Sequence, residues 1–171
     1  YRENRKIVEY LFSRGFNEEI LDFYDVKYSK TKNIVLTSYD KNNILNFWTS
    51  NYPDKKNKYV NGKNFSYVLN EFIGLENNNI IINEKNIDFR MPLFIFEGYY
   101  DSYSIYPYTN VTCALGKTIK NELRKKIIEN NTPFIISFDK DDYLAQNNAN
   151  DFIEEMKEYN IHGIRFPYKF N

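Results

Sequence analysis

The chain has 171 residues, 42% of them hydrophobic, and its 23 basic residues balance 23 acidic ones. This supports a real core in one domain, or in two small ones packed together, and excludes wholesale disorder. A single cysteine, Cys113, and a single histidine, His162, exclude an internal disulfide and a Cys/His zinc site and fit a reducing cytoplasm, while no apolar run approaches the roughly 20 residues of a membrane span.

The zero net charge hides an asymmetry. Residues 1–68 carry 12 Lys+Arg against 8 Asp+Glu, which leaves 11 against 15 for the remainder. A basic half joined to an acidic half suits a protein that holds both phosphates and metal ions. The chain opens on Tyr1 and not on Met, which reads as a fragment of a longer protein.

In chain order, residues 3–13 are predicted helical, with Ile7, Val8, Leu11 and Phe12 on one apolar face and Gly15 as a left-handed cap. Asn17 is a good N-cap for a second short helix whose Ile20, Leu21 and Phe23 would pack back on the first. Residues 34–39 and 44–48 read as the strands of a hairpin around Asp40-Lys41-Asn42-Asn43, with Trp48 in its core. The lysine-rich stretch 51–64 reads as a loop and 65–73 as a short helix; asparagines leave 74–91 without a clear pattern.

From Pro92 the pattern changes. Leu93-Phe94-Ile95-Phe96 is a continuous apolar run, as expected of a strand buried on both faces. A helix is predicted over 98–106, a strand over 111–115, a helix over 118–129 capped by Thr118, a buried strand over 134–138, a helix over 145–159 and a strand over 161–166. Such alternation implies a mainly parallel sheet covered on both faces. Two of its strands run into acids, Glu97 with Asp101 beyond it, and Asp139 with Asp141 and Asp142. Ligands bind outside the carboxyl ends of such strands, so neighbouring strands would bring Glu97, Asp139 and Asp141 together around a hard divalent cation. Gly98 is expected to let the backbone turn sharply beside that ion. An acid after a strand is as often a loop residue or a helix cap; two at the ends of buried strands in one series are harder to read that way. Cys113 reads as a small buried hydrophobe, and His162 as structural or exposed.

The segment Glu97-Gly98-Tyr99-Tyr100-Asp101 resembles the first acidic motif of the TOPRIM domain, and Phe138-Asp139-Lys140-Asp141 resembles its D-x-D motif. Between them, residues 111–117 are similar to the strand and turn of bacterial primases, with Lys117 where those often have Thr. Asp142-Tyr143-Leu144 stands where a glycine usually follows the D-x-D motif. At the amino end, Tyr10-Leu11-Phe12-Ser13-Arg14-Gly15-Phe16 with Glu19, Ile20 and Phe23 resembles the opening of the RNA-polymerase domain of DnaG-type primases, and Lys58-Tyr59-Val60-Asn61 resembles its "KYLN" motif.

This resemblance implies an α/β, TOPRIM-like, mainly parallel sheet with helices on both faces over 92–171, truncated at its carboxyl end, preceded by a small mixed α+β subdomain over 1–91. It implies Mg²⁺- or Mn²⁺-dependent synthesis of short RNA primers from ribonucleoside triphosphates on single-stranded DNA, in the bacterial cytoplasm or that of a phage host. The implied metal ligands are Glu97, Asp139 and Asp141, with Asp101 and Asp142 as outer or second-ion ligands. Arg14, Lys55, Lys56, Lys58, Tyr59 and Lys63 would meet nucleic acid or nucleotide. A zinc-binding domain upstream and contact with a replicative helicase through regions outside this chain are further expectations. The alternatives are TOPRIM-type DNA cleavage, as in nucleases and topoisomerases, and a degenerate module that only binds single-stranded DNA.

Overall fold

A computed structural model describes residues 5–23, 27–28, 34–51, 59–62, 66–68, 71–73, 80–106 and 108–166. Two short helices begin it, α1 (Arg5–Ser13) and α2 (Glu18–Phe23). Gly15 adopts φ 85°, and Phe16 N–H bonds Leu11 O while Gly15 N–H bonds Phe12 O. That is the Schellman closure foreseen from the glycine. Asn17 Oδ1 caps α2 by accepting from Ile20 N–H at 2.9 Å. Leu11, Ile20 and Leu21 are buried, but Phe12 and Phe23 are exposed, and the Phe23 ring meets the Tyr106 ring at 4.5 Å between centroids.

Strands β1 (Lys27–Tyr28), β2 (Ile34–Tyr39), β3 (Leu45–Asn51) and β4 (Tyr59–Gly62) form an antiparallel sheet in that order. The predicted hairpin is there: Asp40 Oδ1 accepts from the N–H groups of Asn42 and Ile44, the side-chain turn that favours Asp at this place. Trp48 is only half-buried. Two expectations are corrected. Residues 59–62 lie inside the segment read as a loop, yet pair with β3. Residues 65–73, read as a helix, hold the hairpin of β5 (Ser66–Val68) and β6 (Glu71–Ile73). Tyr67, Val68, Phe72 and Ile73 are β-branched or aromatic, and that preference prevailed.

The second sheet is wholly parallel. Its strands are β7 (Leu93–Phe96), β8 (Val111–Cys113), β9 (Phe134–Ser137) and β10 (Gly163–Arg165), in the order β10-β9-β7-β8. Helix α3 (Tyr99–Ile105) links β7 to β8, α4 (Asn121–Asn130) links β8 to β9, and α5 (Tyr143–Lys157) links β9 to β10. One face of the sheet packs Leu93, Ile95, Phe134 and Ile136 under α4 and α5. The other is covered by Tyr99, Tyr100 and Tyr103 of α3, which share a core with Leu11, Phe16, Leu36 and Phe47. The structure is therefore the expected TOPRIM-like α/β fold, with the amino-terminal elements packed beside it.

Element ends differ in detail. Lys120, not Thr118, precedes the first turn of α4 and makes no side-chain cap, whereas α5 starts two residues earlier than predicted because Asp142 caps it. The two parts are joined by polar contacts as well as rings: Tyr103, 1% exposed, donates its hydroxyl to Thr37 O at 2.9 Å. Tyr103→Phe should cost about 1 kcal/mol, the net worth of one such bond. The check is a lower urea midpoint with an unchanged slope.

Candidate metal and nucleotide site

The direction of the crossovers decides where the acids meet. From β7 the chain moves through α3 to β8 on one side; from β9 it moves through α5 to β10 on the other. Adjacent strands whose connections leave in opposite directions open a crevice outside their carboxyl ends, the switch point at which such sheets bind ligands. Glu97 follows β7 and Asp139 lies two residues beyond the end of β9, so both stand at that crevice. Asp139 N–H donates to Glu97 Oε2 at 3.3 Å.

The loop carrying Asp139 is held from below. Gln146 Nε2, a buried amide of α5, donates to Phe138 O and to Asp139 O at 2.9 Å each. Asp142 Oδ1 accepts from Ala145 N–H at 3.0 Å, and its other oxygen pairs with Lys117. An open cavity of about 810 Å³ is lined by Asp139, Lys140, Asp141, Asp142, Tyr143 and Leu144. Gly98 has φ −104°, an extended conformation open to any residue, so no sharp turn demands glycine there. What it supplies is room, because a Cβ would lie 2.9 Å from Asp101 Oδ2.

Electrostatics follow from this placement. Burial pushes the Glu97 carboxyl above its ordinary pKa; the charges of Asp139 and Asp142 push the same way, against the Asp139 N–H and Lys117. Burial raises Asp101 too, with Asp139 adding and Arg14 opposing. Asp142 is lowered by Lys117 and by the Ala145 N–H. Arg14 reaches Asp101 at 3.6 Å and lies 5.6 Å above the Tyr100 ring, tying the first helix to the acidic edge. Burial pushes the Cys113 thiol up to about 12, which suits a packing residue and not a nucleophile.

Of the residues singled out in the sequence, the fold joins Glu97 to Asp139 and sets Asp101, Asp142 and Arg14 around them, with Asp141 exposed at the rim. Among the described residues no group of three Asp, Glu, His or Cys side chains could hold a metal ion. Glu97 and Asp139 nonetheless fit Mg²⁺ or Mn²⁺ in donor chemistry. Mg²⁺ takes one or two protein carboxylates and leaves its other positions to water and phosphate oxygens. Tyr59 opens β4 opposite Asn51; Lys55, Lys56, Lys58 and Lys63 lie outside the described residues. Gln146 and Lys117 were not foreseen as site residues. Nothing in the sequence marks Gln146, whereas Lys117 is visible as a departure from the resembled turn. Among the described residues no helix is long and apolar enough to cross a membrane.

No protein-family model and no curated protein matches the sequence. Solved structures do match the fold. The Aquifex aeolicus primase, comprising its zinc-binding and RNA polymerase domains, is 15% identical; the match covers 98% of this chain and 51% of that one, with a TM-score of 0.72. A DnaG primase catalytic domain bound to single-stranded DNA is 13% identical, with 98% and 65% covered and a TM-score of 0.69. The primase fragment of the bacteriophage T7 primase-helicase protein is 13% identical, with 84% and 59% covered and a TM-score of 0.58. The chain thus spans between half and two thirds of the length of these proteins.

Proposed function

From the DnaG-type primase-core fold of this chain we propose that it is the catalytic part of a primase, making short RNA primers on single-stranded DNA with Mg²⁺ or Mn²⁺. The observation that carries the reading is the contact of Glu97 with the Asp139 backbone at the switch point of the parallel sheet. In this reading Glu97 and Asp139 are the ion's direct ligands, with Asp101, Asp141 and Asp142 as outer carboxylates. When bound, the ion supplies neutralisation of the triphosphate and a lowered pKa for the primer 3′-hydroxyl. The chain's own residues position these parts. Gln146 fixes the backbone of Asp139, and Arg14 offers a guanidinium for a phosphate beside Asp101. A single-stranded DNA partner is supported by the DNA-bound DnaG domain, and a helicase partner by the primase-helicase of phage T7. Soluble, cytoplasmic replication work is part of the same proposal.

One observation favours a second reading. Asp142 stands where a glycine usually follows the resembled D-x-D motif, and both its oxygens are engaged, by Lys117 and by the Ala145 N–H, which suits a module kept only for binding single-stranded DNA. Incorporation of labelled ribonucleotides on a single-stranded template, with and without Mn²⁺, separates the two. Metal-dependent product supports the primase; template binding without product leaves the binding module; cleaved DNA would point to nuclease chemistry instead.

The lysine of the resembled KYVN segment, Lys58, gives a further expectation. Lys58→Ala should weaken template binding and reduce the salt slope by about 0.7, the contribution of one phosphate contact on a single strand. Anisotropy of a labelled oligonucleotide across a salt series measures both. Unchanged affinity and slope would show that Lys58 makes no phosphate contact.

A further inference from the structure

The turn between β8 and α4 carries a positive charge into the carboxylate edge. Leu115 and Gly116 both take positive φ, 53° and 130°, and Gly116 N–H meets Glu97 O at 3.2 Å. On its other side the turn is tied to α5, where Asn148 Nδ2 donates to Lys117 O at 3.0 Å and to Thr118 Oγ1 at 3.3 Å. Between these two ties the Lys117 ammonium pairs with Asp142 Oδ2. The other oxygen of that carboxylate receives the Ala145 N–H. Both oxygens of Asp142 are therefore engaged by groups of this chain. Glu97 Oε2 is met by an N–H at 3.3 Å, long for a hydrogen bond to a carboxylate.

We infer that Lys117 is a tethered cation of this site, a positioning residue that holds Asp142 out of metal coordination and competes with the divalent ion. The inference rests on the metal-binding reading above. An ammonium is a compact point charge on a flexible stem, and anchored at its backbone it is present at an effective concentration that a free ion must match. In the metal-free protein it offsets the repulsion among Glu97, Asp139 and Asp142. An arriving divalent ion must share the edge with this charge or displace it. Either course weakens ion binding, and removing the charge strengthens it.

The test is calorimetric titration of Mn²⁺, with no nucleotide or template, into the wild type, Lys117→Met and Lys117→Arg. Met keeps the apolar stem without the charge, and Lys117→Gln is a second neutral variant should Met disturb the turn. The neutral variants should bind Mn²⁺ roughly tenfold more tightly, the low end of what one adjacent cation does to a carboxylate's affinity for its proton; Lys117→Arg should behave as wild type. Binding by the neutral variants alone would support the inference in its strongest form. Equal or weaker binding by the neutral variants would overturn it while the metal-binding reading stands. No binding by any of these proteins would overturn that reading and the inference together.

Discussion

Asp139→Asn and Glu97→Gln should each lower ribonucleotide incorporation by at least roughly 100-fold, the upper end of losses seen when groups merely supporting a metal site are removed. The metal-free fold should be as stable as before or more so. Its sign follows from linkage. The folded-state pKa of Glu97 is raised, chiefly by burial and further by Asp139 and Asp142, so the folded protein holds this proton more tightly than the unfolded chain. Stability without metal then falls as pH rises from the ordinary carboxyl range through the raised folded value, and the loss remains above it. Glu97→Gln removes that slope, and its melting curve should vary less with pH over this window. Mn²⁺ should raise the melting temperature of the wild type by mass action and that of the two variants less. Structural acids would behave in the opposite way, costing stability without touching chemistry. Equal incorporation by wild type and variants would exclude these carboxylates from the reaction.

The largest effect on stability is expected at the pairing of β9 with β10. Phe134 is 1% exposed, lies 5.1 Å from the Phe152 ring between centroids, and stands opposite Gly163 in register. Phe134→Ala should cost about 3–5 kcal/mol through lost transfer energy and the cavity left behind. Gly163→Ala tests the same contact from the other side. Its Cβ would lie 2.2 Å from Phe134 Cζ and 2.5 Å from Cε2, and the ring is hemmed in by Phe152. About 1–3 kcal/mol of overpacking is expected. In the double variant Phe134→Leu with Gly163→Ala the smaller side chain makes room, so the cost should be below the sum of the single changes by at least about 0.5 kcal/mol. Urea unfolding of the wild type, Phe134→Leu, Gly163→Ala and the double variant gives the cycle directly. Strict additivity would show that the glycine is not there for the ring.

Much of this molecule is written locally. The mainly apolar runs 93–96 and 134–138 announce the central strands of a sheet, Asp40 to Asn43 announces a turn, and Gly15 announces a helix end, because burial and backbone preference act over a few neighbouring residues. The acids following two of those strands were legible for the same reason, and the resemblance of their motifs pointed to the fold that the comparisons then showed. Where local signals conflict, the sequence misled. Residues 65–73 pair as a hairpin and 59–62 join a sheet, since strand pairing is settled by partners elsewhere in the chain.

What the tertiary structure alone decided is the meeting of distant groups. That β9 lies beside β7, and not beside β8, follows from how α3 and α4 cover opposite faces, and it sets Glu97 against Asp139. The pairing of Lys117 with Asp142, and the hold of Gln146 on the Asp139 carbonyl, depend on the same docking of α5. By itself the sequence determined which residues could be ligands. Their geometry was decided by non-local packing, because carboxylates brought together repel one another, and a folded core, a cation or a lysine has to offset that repulsion.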